Sequence, residues 1–354
     1  MKLLMMQDIP VYNIESGVVL EEALCPFMGN VSVVEAYQCW VDHRVYLKSN
    51  RAAERILKQF GGEDTFEAKR RLSLSDSYWI KHDYDRDVKF ADVTPYLNKF
   101  SEGFVVEGGV RSSSVPEFVL GGSQPKVWKR GSDGTTYLRK VELPEQVYAE
   151  MLAVKLLRKS GLGIMNSFVI TANGKLYADK FELTKETGEI SVINLVNMTN
   201  LDRSLVQFDQ LGIAVDGYDV TSVISGYRLA GVRGGFEKDA VCQVIADAIV
   251  GNVDRRTNNS NWAVFVDNKL GERRISHMYD FNWANPLSPN LEMLRLVASG
   301  VVGSGMIGVA VEFAEKVREV CANLGLWIWR KNTEALLLLL GDGRGQRPKS
   351  LDVF

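Results

Sequence analysis

Histidine is nearly missing from this chain of 354 residues. Its three copies, His43, His82 and His277, lie far apart, and none sits in an H-E-x-x-H or a mixed His/Cys ligand spacing. That pattern argues against zinc hydrolase chemistry. A Ser-His-Asp triad would need one of the same three, and no G-x-S-x-G elbow is present. Cysteine is equally sparse. Cys25, Cys39, Cys242 and Cys321 form no C-x-x-C pair and read as buried thiols in a reducing compartment. Long apolar runs are lacking too. The first run breaks at Gln7, too early for a signal-peptide core. Residues 296–311 carry no charge, but Gly300, Gly303, Gly305 and Gly308 interrupt them, and they fall short of the roughly 17–25 residues of a spanning helix. A cytoplasmic protein without a membrane partner is expected. Excess charge is also absent: 42 Lys+Arg against 44 Asp+Glu leaves a net charge of -2. Direct nucleic-acid binding through long-range attraction is therefore not expected.

What is present is an ordinary globular composition, 46% hydrophobic and 24% charged. At about 150 residues per domain, two or three domains are expected. Residues 1–110 mix short strand-like runs with a helix predicted over 50–60, where Ala52, Ile56, Leu57 and Phe60 keep helical spacing. A small-residue loop at 107–114 marks a boundary. Then come a glycine-bearing loop at 120–126, a strand over 127–130, a turn, and a β-branched and aromatic strand over 135–141. Pro144 suits the first turn of a helix that ends before Gly161. A hairpin is predicted at 168–179 around Asn173 and Gly174. The remainder reads as mainly helical. A helix over 237–250 stops at Gly251 and feeds a polar loop over 252–259, and a hairpin over 262–278 delivers Tyr279, Asp280 and Phe281.

Phosphoryl transfer from ATP needs backbone N–H groups against phosphates, a strand Lys fixed by a carboxylate, an Asp to orient the attacking hydroxyl, and an Asn and a second Asp for magnesium. The chain offers these in order. The loop is Gly121, Gly122, Ser123, Gln124, Pro125 and Lys126; Lys140 closes the second strand; Glu150 follows on the helix. Asp254 and Asn259 keep the Asp-x-x-x-x-Asn interval of kinase catalytic loops, and Asp280 follows a hairpin. Each piece alone occurs in ordinary turns, loops and surface pairs. Their joint order carries the reading.

These residues, with Leu138 and Arg139, the helix over 150–161, Asp179, Lys180, Phe181 and Glu182, and the run 251–255, resemble the HipA-like serine/threonine kinases, the bacterial toxin-kinase family. The resemblance covers about 121–285. Ser73 to Ile80 is similar to a signature near the end of the N-terminal region of HipA-like proteins. The resemblance implies an α+β, two-lobed protein-kinase-like fold: a mixed N-terminal subdomain (1–110), an N-lobe (111–185) and a mainly helical C-lobe (186–354). It implies Mg2+ and ATP as cofactors and transfer of the γ-phosphate to a protein hydroxyl. It further implies ATP contacts from the 121–126 loop, a Lys140–Glu150 pair, and adenine against the backbone of Asp179, Lys180 and Phe181. Asp254 would be the catalytic Asp, Asn259 and Asp280 the metal ligands, and Arg256 and Tyr279 would flank the nucleotide. The partners implied are a protein substrate and an antitoxin that binds DNA. A pseudokinase or a small-molecule or lipid kinase on the same scaffold is the alternative.

The chain departs from the family in places. Arg256 stands where many members carry His, Asn259, Ser260 and Asn261 follow a variant pattern, Asn282 follows Phe281, and Val119 replaces a serine that the best-known member autophosphorylates. Several other features have plainer readings. Gly303, Gly305 and Gly308 match G-x-G-x-x-G but lack the acid that a dinucleotide site needs about 20 residues on. Trp327 and Trp329 read as core. Arg255 and Arg256 read equally as phosphate ligands or as solvated loop charges. Asp76 and Trp79 read as contacts between the N-terminal region and the kinase lobe.

Overall fold

The computed structural model describes residues 1–27, 32–44, 76–94, 126–130, 136–140, 144–172, 175–178, 191–199, 201–281, 283–285, 287 and 291–341. They divide into two compact units, each assembled from separate stretches of chain. The first takes 1–142, 167–213 and 263–274; the second takes 143–166, 214–262 and 275–354. The helix expected over 50–60, the 107–114 loop and the boundaries at 110 and 185 lie outside the described residues.

The first unit holds the sheets. Strands β1 (Lys2–Met6), β2 (Ile9–Asn13), β3 (Val18–Val19) and β4 (Tyr78–His82) make an antiparallel sheet of order β3-β2-β1-β4. Successive side chains of a strand point to opposite faces, so this sheet serves two apolar clusters. Leu4, Met6, Tyr78 and Ile80 join Tyr12, Phe27 and Trp40, which is supplied by helix α1 (Val33–Arg44). Met5 and Trp79 instead pack with Phe90 of the short helix α2 (Phe90–Val93). The Trp79 indole donates to the Gln7 carbonyl at 2.7 Å.

Strands β5 (Lys126–Arg130), β6 (Thr136–Lys140), β7 (Asn166–Ala172), β8 (Lys175–Ala178) and β9 (Ser191–Thr199) form a sheet of order β5-β6-β9-β7-β8. Lys126 lies opposite Lys140, and Lys140 opposite Asn194. The hairpins read from sequence are therefore present. The mainly helical reading from residue 186 is corrected at its start, where β9 and then β10 (Arg203–Gln207) are strands. β9 pairs with β6 from far upstream, and local periodicity carries no signal of such a partner. β10 pairs antiparallel with β11 (Ala263–Asp267), and β12 (Arg273–Ile275) completes that sheet.

The second unit is helical apart from its tie to β12. Its helices are α3 (Pro144–Lys159), α4 (Val220–Leu229), α5 (Glu237–Val250), α6 (Leu291–Ser304), α7 (Ile307–Leu324) and α8 (Trp327–Gly341). α5 is buried on every side from Ala240 to Val250, as a helix at the centre of a bundle must be. It packs against α4, α6, α7 and α8. Gly251 ends it in the left-handed conformation (φ 69°), with its N–H on the Asp247 carbonyl. Gly303 lies inside α6, Gly305 is a left-handed turn and Gly308 opens α7. The G-x-G-x-x-G match is thus a helix–turn–helix corner with no strand before it. The Trp pair divides: Trp329 is buried, whereas Trp327 is exposed and is not core. Among the described residues no helix is long and apolar enough to cross a membrane.

Candidate active site

The site grows out of the end of α5. Past Gly251 the chain runs through Asn252 into two short 3-10 turns, Asp254–Arg256 and Asn259–Asn261, before β11 begins. The Asp254 carboxylate is held by its own loop. Its Oδ2 accepts from the amide of Asn258 at 3.1 Å and from that of Asn261 at 2.7 Å. Both amides donate to one oxygen, which fixes the carboxylate plane and leaves Oδ1 for another donor.

Arg255, the next residue, is 2% exposed and points inward. Its Nε donates to Asp247 Oδ2 at 2.8 Å, and its two terminal nitrogens donate to the carbonyls of Asn261 and Tyr279. The rings of Trp262, Tyr279 and Phe281 surround the guanidinium at 5.4–5.9 Å. Asp247 lies on buried α5. Burial pushes its carboxyl up to about 6, against the pull of Arg255 and the Asn252 amide. Arg255 is therefore neither a phosphate ligand nor a solvated charge. It is an internal clamp whose five N–H donors suit several acceptors at once.

The second half of the site is the turn 279–281. Asp280 has φ 63°, a left-handed backbone that a non-glycine residue adopts at some cost. Such conformations persist where their surroundings over-determine them, and they cluster at functional sites. Here three side chains do so. Arg255 takes the Tyr279 carbonyl, Asn252 donates to the Asp280 carbonyl at 3.2 Å, and the Phe281 N–H donates to Glu150 Oε1 at 2.9 Å. Upstream, Met278 bonds on both sides to the segment after α3, with its N–H on Gly163 and its carbonyl taking the Met165 N–H, each at 2.9 Å. Glu150, fully buried on α3, also accepts from the Asn166 amide at 2.8 Å.

The loop before α4 backs the catalytic turn. Val215 N–H donates to Asn259 Oδ1 at 3.1 Å, and Gly217 N–H to the Arg256 carbonyl at 3.0 Å. A Cβ on Gly217 would stand 2.7 Å from the Arg255 carbonyl oxygen, so only glycine fits there. Arg256 is exposed. Its guanidinium lies 4.9 Å from the Tyr218 ring centre, with Asp216 at 3.7 Å.

The structure therefore joins Asp254, Tyr279 and Asp280 through Arg255, Asn252 and Asn261, and ties Glu150 to the same turn through the Phe281 N–H. Arg256 and Asn259 sit on the same loop as Asp254. Lys126 and Lys140 occupy paired strand positions in the other unit and are described by their backbone alone. Gly121, Gly122, Ser123, Gln124, Pro125, Asp179, Lys180 and Phe181 lie outside the described residues. Sequence reasoning missed Asp247 and the inward direction of Arg255. The available signal was a carboxylate in the middle of an apolar helix, since Asp is almost never fully buried without a partner.

No family model matches the chain, and no curated protein matches it in sequence. Among solved structures the chain resembles, at a distance, a bacterial kinase. The crystal structure of a Helicobacter pylori proinflammatory kinase, CtkA, is 14% identical over 62% of this chain and 90% of that one, with a TM-score of 0.35. A likeness that remote adds no weight to any role assigned to these residues.

Proposed function

We propose that the chain is an ATP-dependent phosphotransferase of the HipA-like serine/threonine kinase type, acting on a protein hydroxyl. The observation that carries this reading is the strained Asp280 turn, clamped by Arg255, Asn252 and Glu150 beside the doubly hydrogen-bonded Asp254. A carboxylate held by two amides, and a second on a backbone turn clamped by buried side chains, suit in-line phosphoryl transfer, because catalysis there is mainly positioning.

In this mechanism Asp254 Oδ1 accepts the hydrogen bond of the substrate hydroxyl, while Asn258 and Asn261 hold Oδ2 and prevent the carboxylate from rotating. The serine or threonine oxygen attacks the γ-phosphorus, its bond to the leaving ADP oxygen breaks, and Asp254 takes the proton. Lys140 and the 121–126 loop would neutralise and cradle the triphosphate, and the 179–181 segment would receive adenine. Glu150, already committed to Phe281 and Asn166, fixes the Asp280 turn.

Magnesium suits the donors present. Asp280 and an asparagine amide oxygen from the 258–261 turn are hard oxygen ligands. Among the described residues no group of three His, Cys, Asp or Glu gathers to cage a cation. A protein that offers few ligands and leaves the rest to phosphate oxygens and water fits Mg2+. When bound, the ion neutralises charge on the transferring phosphoryl group. A protein substrate, and an antitoxin through which any DNA contact would run, are the partners this reading carries. Incubation with γ-labelled ATP, Mg2+ and a host lysate tests it. Label is expected in protein with the unsubstituted chain and none with Asp280→Ala. Equal labelling by both overturns the assignment.

A further inference from the structure

We infer that Asn261, rather than Asn259, supplies the amide oxygen that works with Asp280 at the metal–nucleotide site; the assignment rests on the phosphotransferase reading. The Asp-x-x-x-x-Asn interval selects Asn259, but the hydrogen bonds select the residue two positions on. Asn259 turns its side-chain oxygen to the Val215 N–H, toward the loop that backs the turn. Asn261 donates its amide N–H to the Asp254 carboxylate at the shortest distance in that cluster, 2.7 Å. It is 5% exposed, and no donor among the described residues reaches its Oδ1. Its amide nitrogen is committed, and its Oδ1 is not among the buried atoms that lack a partner, so that oxygen is open to water or to a ligand.

The backbone gives an independent reason. One guanidinium, that of Arg255, donates simultaneously to the carbonyl of Asn261 and to the carbonyl of Tyr279, the residue before Asp280. The terminal nitrogens of a guanidinium share one carbon, so the two carbonyls they hold are neighbours. Asn261 and Asp280 are thereby brought together by a side chain that is itself locked to Asp247. Among the described residues, the side chain of Asn259 instead accepts from the Val215 N–H. Asn261 also directly precedes Trp262 and strand β11, whose indole N–H donates to the Arg255 carbonyl at 2.9 Å. Its position is fixed from both sides. The two residues before it, Asn259 and Ser260, open the second 3-10 turn.

The test reads metal-dependent nucleotide binding without turnover. Melting temperature is measured for the full chain with ATP plus EDTA and with ATP plus Mg2+, and the increment due to the metal is compared across variants. The increment is expected to survive in Asn259→Ala and to vanish in Asn261→Ala, whose melting without ligand confirms that it folds. Electron paramagnetic resonance of Mn2+–ATP should broaden on adding the unsubstituted chain or Asn259→Ala, and not on adding Asn261→Ala. Loss of the increment in folded Asn259→Ala, or its full retention in Asn261→Ala, overturns the assignment. If Asn261→Ala does not fold, Asn259→Ala decides alone. An unsubstituted chain that does not respond to ATP overturns the phosphotransferase reading, and the assignment with it.

Discussion

Two of the buried polar clusters among the described residues hold loops to a core with opposite chemistry. In the first unit Ser77, Ser204 and Asn268 form a closed neutral ring. Ser204 Oγ accepts from the Ser77 N–H at 3.1 Å and donates to Asn268 Oδ1 at 2.6 Å, and the Asn268 amide donates to Ser77 Oγ at 3.1 Å and to the Leu201 carbonyl at 2.8 Å. In the second unit Asp247, Arg255, Asn252, Asn261 and the Tyr279 carbonyl form a charged one. Joining strand ends needs only donors and acceptors that match, and a neutral ring supplies these cheaply. Burying an ion pair is expensive and is often no more stabilising than an apolar replacement. Its presence beneath Asp254 and Asp280, where the backbone is also strained, points to a positional role.

Breaking the charged cluster should have the largest effect. Arg255→Ala leaves the Asp247 carboxylate buried without its counter-charge, and urea denaturation should show a loss of about 3–5 kcal/mol. Replacing both partners, Asp247→Leu with Arg255→Met, should recover much of that stability and none of the MgATP response. If the double variant kept that response, the positional role would be lost.

The neutral ring sharpens the contrast. Asn268→Ala removes the acceptor of Ser204 and the donor to Ser77 and Leu201, and should lower stability by about 1–3 kcal/mol. The melting increment with MgATP should be unchanged, and a loss of that increment would make the two clusters functionally alike. A smaller effect is expected from Gly217→Ala. The new Cβ meets the Arg255 carbonyl at 2.7 Å, so the turn bearing Asp254 must shift. Denaturation should show about 1 kcal/mol lost, with phosphoryl transfer falling more than the melting temperature suggests.

The two clusters also differ in their response to pH. Asp247 goes from 3.8 up to about 6 on burial, so it binds its proton more tightly folded than unfolded. Its contribution to stability is complete below 3.8 and is lost as pH rises through about 6. The denaturation midpoint of the unsubstituted chain, taken relative to Asp247→Asn, should therefore fall between pH 4 and pH 7. A rise would contradict the raised carboxyl. The neutral ring gives no such slope.

Local chemistry was legible wherever the signal was local. The helix over 237–250 and its glycine stop, Pro144 at the start of α3, and the hairpin around 173–174 all follow from periodicity and capping. The order of candidate residues also needed only the chain. Pairing between distant segments was not legible: β9 beside β6, or Ser77 with Ser204 and Asn268. The direction of a side chain was also hidden. Arg255 and Arg256 are adjacent and chemically identical, yet one is an internal clamp and the other lies at the surface. The difference comes from Asp247 one helix away, which spacing cannot reveal.

The most direct measurement pairs MgATP binding with phosphoryl transfer in the same samples of the unsubstituted chain and Asp254→Asn. The account predicts that binding is retained and that transfer falls by about 10²–10⁴-fold, the effect of removing a positioned general base. Transfer at the unsubstituted rate in folded, ATP-binding Asp254→Asn would contradict it.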